Sequence, residues 1–128
     1  MKCTPDASEL LSIARETYTA QLLPALPENL RYTALMVANA MAIARREIET
    51  GDGSARAELR RLRVLFSEAS SEPDANQLRG TVADYNRRLV QAIRAGRYDS
   101  DNAALLEHLR RTTEEKLAIS NPKALSGP

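Results

Sequence analysis

Three polar residues on the second of five predicted helical segments could form one functional site. Tyr32, Asn39 and Arg46 are seven residues apart, so two helical turns separate neighbours and all three lie close to one line. A phenol, an amide and a guanidinium on one line could bind a polar ligand or a partner protein. Glu47 adds a carboxylate at the lower end, and Tyr85 of the fourth segment could complete a pocket between the second, fourth and fifth segments.

Asn39 is the one polar residue in the stretch 34–44, and two interpretations of it stay open. A buried amide without a partner costs about 1 to 3 kcal/mol, so in the structural interpretation it bonds a backbone carbonyl and determines the packing register. In the functional interpretation it belongs to the polar wall of a ligand pocket or partner groove. Replacing Asn39 with leucine should then destabilise the fold little.

Residues typical of catalytic or metal sites do not form a recognisable pattern. His108, the single histidine, is expected to be half-exposed, and spacing places no serine, cysteine or carboxylate as its partner in a triad. Asp99, Asp101 and Asn102 begin like a calcium-binding loop, but the glycine and the distal glutamate of such a loop are missing. The sequence therefore predicts no catalytic residue, metal or cofactor, and an enzyme is the less favoured class.

A weak basic stripe is expected on the third segment, where Arg56, Arg60 and Arg63 flank the apolar positions. Such a stripe could meet a phosphate backbone or an acidic partner. The whole chain, however, has 18 basic and 17 acidic residues, a net charge of +1, and no aromatic residues between these arginines. A solvated helix face is therefore favoured over nucleic-acid binding.

The elements that carry these residues are predicted to be helices. Alanine and leucine fill 37 of 128 positions and valine and isoleucine only nine, and straight-chain residues favour helices over strands. We predict an all-α fold, a single-domain bundle of about five helices over 1–128, with tails at 1–5 and 124–128 and a polar loop at 67–74. The helical segments lie at about 6–23, 28–50, 54–66, 75–95 and 101–121.

The second segment differs from the others because it is apolar on two faces. One stripe contains Ala34, Val37 and Met41, and the opposite side contains Leu35 and Met36. Two arrangements would keep both faces out of water. The second helix could be the central member of the bundle, covered by the first, fourth and fifth helices. Alternatively, its second face could meet a copy of itself, in a homodimer, or another protein.

The compartment is predicted from what the sequence lacks. The single cysteine, Cys3, can form neither an intrachain disulfide nor a CxxC pair, and it is expected in a frayed end. No apolar stretch follows Met1 and Lys2, and none reaches the roughly 18 residues of a membrane span. We expect a cytoplasmic protein that does not enter a membrane.

Four phrases of the sequence resemble an uncharacterised bacterial family of short helical proteins, a domain of unknown function. The phrases are LPALP at 23–27, VANA at 37–40 running into IARREIE at 43–49, IRAGRYD at 93–99 and KLAISNPK at 116–123. Genes of this family often lie near an aminoglycoside-phosphotransferase-like protein and an acyl-CoA dehydrogenase. The resemblance implies no known reaction, but it implies a protein partner that is kinase-like or metabolises acyl-CoA.

Two functions from different classes follow. The favoured function is a non-enzymatic accessory or protein-interaction protein that acts with such an enzyme. The alternative is a small-ligand-binding protein or small enzyme with its pocket beside Asn39.

Overall fold

The structure is a computed structural model, and it describes residues 4–127 of the chain. The all-α prediction is confirmed, because the described residues form five α-helices and no strand. Cys3 lies outside the described residues. Short 3-10 turns or a π-helical turn adjoin some of the helices, at Tyr18–Leu22, Leu23–Ala25, Glu28–Leu30 and Pro122–Leu125. The α-helices are α1 (Ala7–Thr17), α2 (Arg31–Thr50), α3 (Gly53–Leu65), α4 (Ala75–Arg94) and α5 (Ala103–Ser120).

Local signals determine where several helices begin and end. Asp6 caps α1 by accepting a hydrogen bond from the Glu9 amide at 2.9 Å, and the Glu9 carboxylate accepts one from the Asp6 amide. Asp74 caps α4 by accepting a hydrogen bond from the Gln77 amide at 2.9 Å, and Gly96 follows that helix with a φ of +81°. α3 begins at Gly53, one residue before its predicted start at 54.

Contacts divide the described chain into two compact units, and each is described by itself. The first unit comprises residues 4–51 and 119–122. In it α1 packs on α2, and the two buried residues of α2 are Ala34 and Ala38, whereas α1 has none. Arg15 donates a hydrogen bond from Nε to the Ala38 carbonyl at 3.2 Å. The contact between these helices is therefore close and is made largely by small side chains.

The second unit comprises residues 52–118 and 123–127 and contains the larger core. Its centre is formed by Leu59, Leu62 and Leu78, none of which has exposed surface. The apolar stripe of α4 contributes four buried residues, and Ile93 near the end of that helix is exposed. The remaining buried members of the cluster are Val82, Tyr85, Leu89 and Leu105.

The predicted polar loop, at 67–74, connects α3 to α4 and is attached to the helices by arginines. Arg63 donates to the carbonyls of Ser70 and Ser71 at 3.2 and 3.1 Å. Glu72 accepts from Arg56 and from Arg60 at 3.2 and 3.1 Å. Because the buried Arg63 guanidinium satisfies the carbonyls of Ser70 and Ser71, the loop has a defined path without secondary structure of its own.

The structure separates the two arrangements expected for α2. The first, in which helices one, four and five cover both of its apolar faces, is wrong, whereas the second, in which one face meets a copy of the chain or another protein, stays a prediction. Leu35 and Met36 are 54% and 50% exposed. α1 packs on the alanine side of α2, so these larger side chains lie outside that contact. The assignment of 1–128 to a single domain stays a prediction.

Candidate functional site

The exposed side of α2 is the first candidate site, and we call it the α2 outer face. Tyr32 is 74% exposed, Leu35 and Met36 are each about half exposed, and Ile43 is half-buried. These apolar side chains surround Asn39 on successive turns of one helix. A cluster of large apolar groups on one helix face is typical of a surface that binds another protein.

The position of this face follows from where α1 docks. Ala34, Ala38 and the half-buried Ala42 form a line of small side chains, and a neighbouring helix can approach such a line closely. The predicted stripe through Val37 and Met41 is displaced from this line, and Val37 is exposed. Periodicity located the apolar residues correctly but did not identify the side on which the neighbour packs.

Asn39 is exposed, which corrects the premise that its amide is buried. An exposed amide can bond to water, so it needs no protein partner to offset a desolvation cost. Its predicted role in packing register has lost its physical basis. Asn39 instead lies as a polar group within the α2 outer face.

Arg46 and Glu47 at the lower end of α2 have different environments. Arg46 is half-buried and donates from Nε to the carbonyl of Ile119 at 2.6 Å, within the first unit. Glu47 is exposed and is engaged in an interaction of its own. Tyr32 and Asn39 thus share the exposed surface, whereas the Arg46 guanidinium holds the backbone near the end of α5.

Tyr85, the fifth predicted site residue, belongs to the core of the second unit. It is 8% exposed, and its ring centroid lies 5.9 Å from that of Phe66. Its hydroxyl donates to Glu68 at 3.0 Å, and the Arg88 guanidinium lies over the Phe66 ring at 4.4 Å. Hydrogen bonds from Arg88 and then Tyr85 lower the pKa of Glu68. The hydrogen bonds of Tyr85 and Arg88 to Glu68 therefore hold the loop against α4.

The predicted basic stripe is occupied by contacts within the chain. Arg56 and Arg60 both pair with Glu72, and Arg63 is buried with its two terminal nitrogens on loop carbonyls. Arg63 is therefore not part of a solvated face. A charge that holds a loop is not presented to a phosphate backbone, so this stripe gives no support to nucleic-acid binding.

His108 is buried, with 3% exposure, which corrects the prediction of a half-exposed histidine. α5 turns Leu105, His108 and Thr112 inward, whereas Leu106 and Leu109 of the same helix are exposed. The reason is a partner on α3. Arg61 donates to His108 Nδ1 at 3.2 Å, to Thr112 at 3.1 Å and to the carboxylate of Glu115.

The Arg61 contact also determines the state of the imidazole. Because Nδ1 accepts a hydrogen bond, the proton of the neutral ring lies on Nε2. Burial, and after it the positive charge of Arg61, lowers the pKa of His108, while Glu58 and Glu115 oppose that shift. Sequence reasoning missed this network because polar residues at helical spacing predict an exposed face. The usable signal was the spacing of His108, Thr112 and Glu115 opposite a central arginine.

Comparison with known families matches residues 24–124 to DUF6285, a domain of unknown function. The chain belongs to the DUF6285 family. The match begins at residue 24, so it covers α2 to α5 and leaves α1 outside. No curated protein and no solved structure matches the chain.

Two other kinds of site are absent from the described part of this DUF6285 chain. Within residues 4–127, no three histidine, cysteine or acidic side chains are grouped so that they could hold a metal ion. In the same part of the chain, no helix combines the length and the apolar character needed to cross a membrane. The features left for function are the α2 outer face and the surface around the Arg61 network.

Proposed function

We propose that this protein is a non-enzymatic accessory protein of the cytoplasm that binds an enzyme through the α2 outer face. The observation that carries the proposal is the exposure of Tyr32, Leu35 and Met36 on one side of α2. Covering the exposed half of a leucine or methionine would contribute about 1 kcal/mol each, and tyrosine is frequent in the centres of interfaces. Asn39 supplies a polar group that could set the register of the partner.

The proposed partner is a kinase-like or acyl-CoA-metabolising enzyme, of the kinds whose genes often lie near those of the bacterial family that the sequence resembles. The chemistry of the face is compatible with a protein partner, because the apolar side chains and the amide of Asn39 at its centre carry no charge. Charged groups are depleted at the centres of interfaces and more frequent at their rims. Arg31 and Glu47 lie at the two ends of this surface.

The test is co-purification of the protein with the neighbouring phosphotransferase-like enzyme and, separately, with the acyl-CoA dehydrogenase. Sedimentation analysis of each mixture gives the mass of any complex. We expect one enzyme to form a complex that the double variant L35E/M36E loses. Ile48→Glu is the matched control, because Ile48 has similar exposure on another side of the same helix.

Two outcomes would contradict the proposal. The enzymes and the protein could sediment separately at concentrations well above 10 μM, roughly the weak end of specific complexes. Alternatively, Ile48→Glu could weaken the complex as much as the double variant. If the sedimenting mass of the protein alone doubled when its concentration was raised, a second copy of the chain would be the occupant of the face instead.

A further inference from the structure

A groove between α3 and α5 in the second unit has a volume of about 330 Å³. That volume is at the lower end of the range for pockets that hold small organic molecules. Four residues of each helix line the groove, and the surface that a ligand could touch is almost wholly apolar. Val64, Leu65 and Ala104 supply aliphatic carbon, and the stems of the arginines extend it. Because an apolar surface is favourably removed from water, the groove favours an occupant whose body is apolar.

The charged groups around the groove are already paired within the chain. Each of the three arginines of the lining forms an ion pair with a glutamate: Arg60 with Glu72, Arg61 with Glu115 and Arg111 with Glu107. An ionic ligand would have to compete with these pairs, and it would lose its hydration on an apolar surface. The groove therefore favours an uncharged ligand.

His108 is the one fully buried polar residue of the lining, with 3% exposure. Its Nδ1 accepts a hydrogen bond from Arg61 at 3.2 Å, so the proton of the neutral ring lies on Nε2. Among the contacts of residues 4–127, no atom accepts a hydrogen bond from this Nε2–H. A donor that is nearly closed off from water gains more from a ligand acceptor than a hydrated donor at the rim does.

We propose that this groove binds a small uncharged molecule that has an apolar body and a carbonyl group. The apolar body lies on Val64, Leu65 and Ala104, and the carbonyl oxygen accepts a hydrogen bond from His108 Nε2. A ketone, an ester and an amide share this chemistry, because each presents a neutral carbonyl acceptor. Both walls of the groove belong to the second unit, so the site does not depend on the proposed partner surface on α2.

The test is an NMR titration of the isotope-labelled full chain with acetophenone. Isopropenylbenzene is the control for the hydrogen bond, because it has nearly the same shape without the acceptor, and benzoate is the control for charge. We expect acetophenone to give saturable shifts of the Val64 and Ala104 methyl groups and to move the His108 Nε2 proton downfield. Isopropenylbenzene should shift the methyl groups alone, and benzoate should bind roughly tenfold more weakly than acetophenone.

Three results of this titration would overturn the proposal. Acetophenone could give no saturable shift, which would mean that the groove binds no such molecule. Isopropenylbenzene could move the Nε2 proton as far as acetophenone does, which would mean that no hydrogen bond to the carbonyl forms. Benzoate could bind as tightly as acetophenone, which would mean that the groove does not select an uncharged ligand.

Variants identify the donor and the apolar surface separately. His108→Phe keeps a ring but removes the donor, so it should weaken acetophenone binding roughly tenfold and leave isopropenylbenzene binding unchanged. Val64→Glu should weaken the binding of both neutral probes roughly tenfold, because it places a carboxylate beside the apolar body. Val90→Glu, at an exposed apolar position of α4 in the same unit, is the control and should bind both probes normally.

Two outcomes with the variants would also overturn the proposal. Folded His108→Phe could bind acetophenone as tightly as the unchanged chain, or Val90→Glu could weaken binding as much as Val64→Glu. If His108→Phe does not fold, the Nε2 proton shift and the comparison of Val64→Glu with Val90→Glu still decide the result.

Discussion

The two units bury very different side chains. In the second unit, Leu59, Leu62 and Leu78 are completely enclosed, whereas in the first unit the buried residues of the helices are Ala34 and Ala38. An alanine removes far less apolar area from water than a leucine does, so the first unit gains less hydrophobic stabilisation from its own packing. The difference shows that this chain stabilises one unit with leucines and leaves large apolar groups of the other on the surface.

The largest expected effect is the loss of a core leucine in the second unit. Leu62→Ala should lower the free energy of unfolding by about 3 to 4 kcal/mol, because it removes transfer energy and leaves a cavity. Leu106→Ala, at an exposed position of α5, should change that free energy by less than about 0.5 kcal/mol. Urea denaturation measures both, and similar losses for the two variants would contradict the described core.

The close contact between α1 and α2 in the first unit should be destabilised by a larger side chain. Ala38→Leu should lower the free energy of unfolding by about 1 to 3 kcal/mol, because α1 leaves no space for a larger side chain there. Ala40→Leu, on the exposed side of the same helix, is the control and should be neutral within about 0.5 kcal/mol. Thermal unfolding followed by circular dichroism distinguishes them, and a neutral Ala38→Leu would mean that α1 does not pack on the alanine side.

Substitutions of the capping residues of α1 and α4 test how each unit responds to the loss of a single hydrogen bond. Asp74→Ala should lower the global free energy of unfolding by about 1 kcal/mol. Asp6→Ala should instead reduce amide-exchange protection within α1 alone, because α1 has no buried residue and can open locally. Amide hydrogen exchange under native conditions provides the measurement. Equal loss of protection throughout α4 in the Asp6 variant would show that the units open together.

The smallest effect is a dependence of stability on pH in the second unit. The pKa of His108 is lowered on folding, so the unfolded chain binds the proton more tightly. Stability from this group is complete above the ordinary histidine pKa of about 6.5 and falls as the pH falls toward the folded pKa. The unfolding midpoint should decrease between about pH 7 and 5, and His108→Gln should flatten that slope.

Carboxylates act in a lower pH range and do not mask this effect. Hydrogen bonds from Arg110 and then Arg111 lower the pKa of Glu107 to about 2. Stability from a carboxyl with a lowered pKa is present above its ordinary value of about 4.3 and is lost only at lower pH. A slope between pH 7 and 5 that persists in the His108→Gln variant would contradict the assignment to the imidazole.

Much of the fold could be predicted because the signals are local. The class, the number of helices, the capping box at Asp6 and the polar loop follow from residue propensities and short spacings. The inner stripe of α4 was also predictable, since it is apolar on one side alone. The candidate site was harder, because α2 offers two apolar sides and spacing cannot say which of them a neighbour covers.

The positions of the helices follow from local signals, because caps, prolines and helix propensity act within a few residues. Which side of each helix is buried depends instead on tertiary packing. α1 packs on the alanine side of α2, which leaves Leu35 and Met36 exposed. Arg61 binds His108 and Glu115, so these polar side chains of α5 are turned inward, whereas Leu106 and Leu109 are exposed. Both outcomes depend on contact energies between residues that are distant in sequence, and a local sequence pattern cannot predict those energies.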